Sequence, residues 1–338
     1  MKLLITLTLG LFFGLNLFGQ ENKVKELVAQ GTELHDQGKY DEAIAKYKAA
    51  LDIDKNSTLA NYELSYTCMV TQKYEDGVIY SKKVIEQNTD NQHEAYIVLG
   101  SCLDMLGKPE KAIKTYEKGL KKYPNSNLLN YNLALTSYNQ KDYNVAEKAA
   151  INAIIAKPSH GSSHVILAAI MKAKGERVKS LLSTYYFLML EPNSKRSKIN
   201  YNSLRNQLGQ GVEKKDEKNI NVNVPLNSSK DSEFGAAEIM VSLLAASQYT
   251  EENKSKSDME LFVETSNKFF SVLGELKKEN KGFWWDLYVT KFYDLVQTKN
   301  YEAFSYYISQ SGDSVTVNKW IADNSSKMQE FKVWMNKK

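Results

Sequence analysis

Proline, histidine and cysteine are scarce in this sequence, at five, four and two copies in 338 residues. So few prolines favour long helices over a sandwich of short strands, since a proline removes a backbone donor and breaks a helix interior. Four histidines leave little material for a metal centre. His160 and His164 are four apart but have no acidic or cysteine partner close by, and His93-Glu94 lacks the second histidine of a zinc-protease motif. No metal and no cofactor are expected. Two cysteines leave export open, because a core of this size does not depend on disulfides. Cys68 and Cys102 are 34 apart, and they read as two buried thiols; a disulfide would need Cα atoms within about 7 Å, tight for packed helices.

Dense basic stripes are also missing. The formal net charge is +4, and Lys214-Lys215 and Lys277-Lys278 are interleaved with acids, so nucleic acid is not an expected partner. Gly209-Gln210-Gly211 is too short for a phosphate loop and reads as a turn. Carboxylates are numerous but fall on solvated helix faces, and no catalytic constellation emerges. The chain reads as a non-enzyme.

Long apolar runs are absent after the N-terminus. There, Met1-Lys2 precedes Leu3–Phe18, which is broken only by Thr6, Thr8, Gly10, Gly14 and Asn16 and gives way to Gln20-Glu21-Asn22-Lys23. This layout predicts a signal peptide over 1–19, cleaved after Gly19. The alternative is an uncleaved anchor, but roughly 16 residues fall short of the about 20 that a span requires. No cysteine near the junction offers a lipid site. Loss of Lys2 takes the charge from +4 to +3 (4 − 1). The mature protein is expected in the periplasm, on the cell surface or secreted, with no membrane span.

What the sequence does have is a beat of about 34 residues. Pro124, Pro158 and Pro192 lie 34 apart, each after an apolar helical stretch. Gly38-Lys39-Tyr40-Asp41-Glu42-Ala43 recurs as Gln72–Gly77, Gly107–Ala112, Lys141–Ala146 and, degraded, Gly175–Ser180. The small residues Ala43, Gly77, Ala112, Ala146 and Ser180 step by 34, 35, 34 and 34. Each unit makes sense as two antiparallel helices, with a turn former between them and a small residue where they approach. One such hairpin cannot bury its own apolar face, so neighbours must stack on it.

The pattern resembles the tetratricopeptide-repeat family. Tyr96, Leu99, Gly100, Gly107, Ala112, Tyr116 and Pro124 stand where that family's motif residues stand, and the resemblance covers about Asn22 to Asn193 in five units. Departures are Gly77 for the family's alanine, Pro109 for its turn tyrosine, and the weak fifth unit. The resemblance implies an all-α solenoid of about five helical hairpins over 22–194, whose first helices line a concave groove for a peptide or partner helix. Carried over residue by residue, the groove comprises Val28, Thr32, Tyr62, Tyr66, Met69, Ile97, Tyr131, Leu135 and Tyr138. His35, Ser101, Asp104, Leu128, Val165, Ala169 and Lys172 are further wall positions. Val28 and Thr32 replace the lysine and asparagine clamp of the chaperone-type members, so capture of a C-terminal carboxylate is not expected. Coverage of these rings by the C-terminal region or by inter-repeat packing is the alternative.

Residues 195–233 read as a connecting segment, with the alternating Ile220–Val224 as an isolated short strand and Asn227–Ser232 as a polar run. Residues 234–338 read as a smaller helical domain with helices near 234–249, 257–279, 282–298, 301–310 and 315–336. All four tryptophans, Trp284, Trp285, Trp320 and Trp334, lie there. They read as an aromatic core; an exposed patch for a glycan or similar envelope ligand is the alternative function. The leading expectation is a non-catalytic protein-interaction scaffold of the cell envelope, with a protein or peptide partner.

Overall fold

The computed structural model describes residues 2–88, 91–215, 219–223, 233–278, 280–312 and 314–337, with side chains from residue 19 onward except those of Ser314 and Lys337. Among these residues the chain is all-α apart from one two-stranded hairpin. It divides into two compact units, Met1–Val145 and Ala146–Lys338. The side chains of 1–18, on which the leader expectation rests, and the run Asn227–Ser232 lie outside the described ones.

The first unit contains α1 (Lys2–Asp36), α2 (Tyr40–Ile53), α3 (Thr58–Val70), α4 (Tyr74–Gln87), α5 (Gln92–Met105), α6 (Pro109–Lys122) and α7 (Asn127–Asn139). Consecutive helices pack together, and the first helices α1, α3, α5 and α7 also touch in order. This is a stack of helical hairpins of the kind the repeat implies. α8 (Tyr143–Ala156) begins in this unit and runs into the next.

Two local devices set the beat. Each hairpin turn passes through a left-handed residue, Gly38, Gln72, Gly107, Lys141 or Gly175, with φ between 61° and 78°. The next amide then reaches back to an orphan carbonyl: Lys39 to Leu34 and Lys73 to Cys68 at 2.8 Å, Lys108 to Leu103 at 2.9 Å, Asp142 to Ser137 at 3.0 Å, Glu176 to Met171 at 2.9 Å. At the other end of the hairpins, Ser57 and Ser126 accept the amides of Ala60 and Leu129 and cap α3 and α7. Asn61 and Asn130 clamp those same turns, donating to the carbonyls of Ser57 and Ser126 at 2.9 Å each.

Glycine is required at the close approaches. A Cβ on Gly31 would lie 2.4 Å from the Tyr47 ring, and one on Gly100 2.2 Å from that of Tyr116. Gly77 has a different neighbour: its Cβ would stand 2.6 Å from Cys102 Sγ. The thiol therefore occupies space that an alanine in the family's usual place would take. Cys68 and Cys102 are both free and buried, and burial pushes their thiols up to about 11 and about 12.

The second unit holds α9 (Gly161–Ala173) and α10 (Arg177–Leu190), the fifth hairpin, then α11 (Lys195–Gly209). Strands β1 (Val212–Lys214) and β2 (Ile220–Val222) pair antiparallel with Val212 opposite Val222. Helices α12 (Gly235–Ser247) and α13 (Asp258–Lys277) follow. A π-helical turn over Trp284–Val289 then runs into α14 (Thr290–Val296), and α15 (Tyr301–Ile308), α16 (Ser314–Asp323) and α17 (Ser325–Lys337) complete the unit. Part of the expected connector is thus a capped helix: Ser194 accepts the Ser197 amide, and Tyr201, Leu204 and Leu208 of α11 are buried. The expected isolated strand has a partner in β1, and Val224 lies outside the described residues. The helix expected over 315–336 is two, parted at Asn324. The Asn324 side chain turns back to the Trp320 carbonyl at 2.9 Å, and an Asn-Ser-Ser run favours caps over helix interiors.

Helix α10 is the centre of this unit, with Val178 and Ser180 to Met189 buried and Lys179 half-buried. A helix apolar on every side belongs inside a core. Tyr185 lies 4.8–6.3 Å, centroid to centroid, from Phe262, Phe269, Phe270, Phe292 and Phe304, and its hydroxyl is 2.8 Å from Ser266 Oγ. Trp284 and Trp285 are 7% and 1% exposed. These buried rings make the core of the region, while Trp320 and Trp334 are half-buried at its edge.

The fifth hairpin meets this core through the positions where it departs from the repeat. His164 stands 34 residues after Asn130 and does the same work: Nε2 donates to the Pro158 carbonyl at 2.8 Å. Arg177 stands where Tyr40, Tyr74 and Tyr143 stand in other turns. Its guanidinium bonds the Glu238 carboxylate at 3.1 Å, the Glu238 carbonyl at 2.6 Å, Ser242 Oγ at 2.8 Å and the Gln210 carbonyl at 3.0 Å. Glu238 also accepts the Val178 amide at 2.7 Å. Burial pushes the Glu238 carboxyl up, against the pull of that amide and the guanidinium. The weak fifth repeat is a joint, and its irregular residues are the fasteners.

Candidate functional site

The row of first helices in Met1–Val145 presents two sets of side chains, and hydrogen bonding separates them. Thr32, His35, Ser101 and Asp104 are engaged in holding hairpins together. Thr32 Oγ1 lies 3.5 Å from the Tyr47 hydroxyl, and Ser101 Oγ lies 3.3 Å from that of Tyr116, the equivalent pair 69 residues on. His35 Nδ1 is 2.8 Å from Thr67 Oγ1, and Asp104 accepts from Thr136 Oγ1 at 2.9 Å, again the same pair repeated. These polar wall residues are internal fittings.

The apolar residues differ. On α3, Leu59, Tyr62, Tyr66, Met69 and Val70 recur at helical spacing along one stripe, while Ala60, Leu64, Ser65, Thr67 and Cys68 bury the opposite face. Leu59 is 43%, Tyr66 37% and Val70 38% exposed, and Tyr62 and Met69 are half-buried. The rings of Tyr62 and Tyr66 stack at 6.4 Å, and Tyr66 lies 5.4 Å from His35. Burial, then the carboxylates of Glu63 and Glu94, push the Tyr62 hydroxyl up to about 12, so it stays a neutral phenol. Met105 on α5, at 62%, and Leu128 on α7, at 40%, add exposed apolar surface on first helices, beside the half-buried Ile97, Tyr131, Leu135 and Tyr138.

The expected groove residues therefore fall into distinct roles. Val28 is only 3% exposed and packs with Val24, Ala43, Ile44 and Tyr47. It floors a cleft of about 550 Å³ between α1 and α3 that Thr32 and Leu59 also line. Tyr62, Tyr66 and Met69 are brought together on α3, and Tyr138 meets Tyr143 at 5.8 Å. Leu59, Val70 and Met105 lie outside the set that the family resemblance implies, although Leu59 precedes Tyr62 by three positions and Val70 follows Tyr66 by four. In the second unit, Val165 and Ala169 are half-buried and Lys172 is exposed, with Nζ 3.4 Å from Ser203 Oγ.

The histidine pair resolves into hydrogen bonds: His160 Nδ1 lies 2.7 Å from Ser163 Oγ, and His164 is wholly buried. Among the described residues, no three His, Cys, Asp or Glu side chains stand together as a metal site. No helix among them is long and apolar enough to cross a membrane.

Comparison with known proteins agrees with the repeat geometry. Residues 31–67 match the model of a TPR repeat and residues 93–126 that of a tetratricopeptide repeat. The chain carries tetratricopeptide repeats. Three solved structures are similar over about half of it. One comes from a study of Pseudomonas aeruginosa PilF (17% identity, 56% of this chain and 88% of that one, TM-score 0.49). Another is the MamA protein (23%, 54% and 96%, 0.45). The third is YrrB, described as a TPR protein with an unusual peptide-binding site (16%, 53% and 90%, 0.43). No curated protein matches the chain.

Proposed function

We infer that this protein is a non-catalytic interaction scaffold of the cell envelope, holding an extended peptide or partner helix along the first helices of its N-terminal repeats. The observation that carries this reading is the exposed stripe Leu59–Tyr62–Tyr66–Met69–Val70. Tyrosine and methionine supply contact area at interfaces, and such a stripe on a stacked hairpin marks a docking face. The polar wall positions Thr32, His35, Ser101 and Asp104 are already bonded within the repeats, so the contact area on this face comes from the apolar stripe. The glycan-type alternative loses its footing with Trp284 and Trp285 buried. The envelope assignment rests on the apolar N-terminal run with its basic start, and the working division of the chain is leader 1–19, repeats 22–194, connecting segment 195–233 and helical domain 234–338.

A photo-crosslinking residue placed at Tyr66 is expected to trap a partner in native cells, while the same residue at Ile79, 51% exposed on α4, traps none. Equal yields from both positions would remove the docking face. N-terminal sequencing of the mature protein should begin at Gln20; retention of Met1 would contradict export by cleavage.

A further inference from the structure

The cleft between α1 and α3 carries a charge imbalance that an apolar stripe alone does not require. Glu33, Asp36 and Glu63 line it, with Lys25 as its one basic residue. The Lys25 ammonium is bonded to Glu21 at 2.6 Å. Asp36 lies 11 residues further along α1, roughly 16 Å away at 1.5 Å per residue, so Lys25 does not neutralise that end. Glu33 has a neutral partner, the Gln37 amide at 3.3 Å. The side chains of Asp36 and Glu63 have no hydrogen bond or ion pair among the described residues. Burial pushes the Glu63 carboxyl up, and the charge of Asp36 pushes it further. Val28 and Leu59 supply an apolar floor for a hydrocarbon stem.

We propose that the docked segment places a lysine or arginine side chain in this cleft, between Asp36 and Glu63, and an apolar or aromatic residue on Tyr62 and Tyr66. This rests on the first-helix docking face described above and names the chemistry of its partner. One turn of α3, about 5 Å, separates Leu59 and Glu63 from Tyr62 and Tyr66, so in an extended segment the two anchors are one or two residues apart. A cationic head answers two unpartnered carboxylates, and charge of the wrong sign is repelled before contact.

The test is selection of random dodecapeptides displayed on phage against the immobilised full chain, followed by anisotropy titrations of the enriched sequence as a synthetic peptide. Enriched peptides should carry Lys or Arg one or two positions from an aromatic or aliphatic residue. Replacing that base with acetyl-lysine should weaken binding roughly tenfold. The difference should vanish in an Asp36→Asn, Glu63→Gln double variant whose melting curve matches the parent, while Tyr66→Ala should weaken both peptides alike. Enrichment of neutral or acidic sequences that still depend on Tyr66 would overturn the basic anchor and leave the docking face standing. Absence of enrichment, or binding indifferent to Tyr66, would overturn both. A dimer in sedimentation that Tyr66→Ala dissociates would make a second copy the occupant and overturn the proposal equally.

Discussion

His164 and Tyr288, 124 positions apart in the chain, share a buried hydrogen bond of 2.7 Å in which the tyrosine hydroxyl donates to Nδ1. The direction follows from the other nitrogen, since Nε2 faces the Pro158 carbonyl, which can only accept. The ring is thereby fixed as one neutral tautomer. Burial lowers its pKa from 6.5 to about 4, with the Pro158 bond opposing and the nearby His160 assisting.

Stability should fall in mild acid because of this one ring. The unfolded chain takes up the proton near pH 6.5 and the folded chain only near 4, so the contribution is full above pH 6.5, shrinks as pH drops below it, and levels off near pH 4. The loss approaches about 3 kcal/mol. Urea unfolding followed by tryptophan fluorescence at pH 7 and pH 4.5 measures it. His164→Asn, which keeps the type of clamp that Asn130 makes, should be less stable at neutral pH and lack this part of the acid dependence.

The Arg177–Glu238 pair should behave as a buried unit. Glu238→Ala or Arg177→Ala each leaves a charge without its partner and should cost about 3–5 kcal/mol. Replacing both residues with methionine should cost much less than the sum of the single changes. A double-mutant cycle on denaturant midpoints reads the coupling, and simple additivity would show that the two do not act together.

Gly77→Ala should destabilise by about 1–3 kcal/mol, since the new methyl would meet Cys102 Sγ at 2.6 Å. Cys102→Ala in the same chain should relieve most of the clash, so the double variant melts above the Gly77→Ala single. No relief would mean that Gly77 answers to something other than the thiol.

Gln72 and Lys141 hold left-handed turns that three other hairpins give to glycine. Gln72→Gly and Lys141→Gly should each stabilise the fold by about 0.5–1 kcal/mol, the strain relieved exceeding the added freedom of the unfolded chain. Thermal melts of the two variants check this; unchanged or lower midpoints would refute it.

The hairpins of the repeat were legible in the sequence because their signals are local. A small residue, a turn former and a proline recur at a fixed interval, and each acts on its immediate neighbours in the chain. The docking face was half legible. Helical spacing put Tyr62, Tyr66 and Met69 on one stripe, yet nothing local said that Val28 packs inward or that Thr32 is matched to Tyr47. Those facts depend on a helix some fifteen residues away. The joint was not legible at all. His164 and Arg177 looked like a stray histidine and a degraded motif, because Tyr288 and Glu238 lie 124 and 61 positions distant. Helix α11 escaped for a related reason: its surface is polar, and its few apolar anchors gain meaning only against the core they touch.

Apart from Lys179 and Leu190, α10 is covered all round by its own unit, so both of its long faces are already committed to that core. A hairpin inserted after Leu190 would have to displace α11 and α12 and leave the oily far side of α10 against a polar newcomer. The C-terminal side of the fifth hairpin therefore cannot accept another repeat without rebuilding the core around Tyr185.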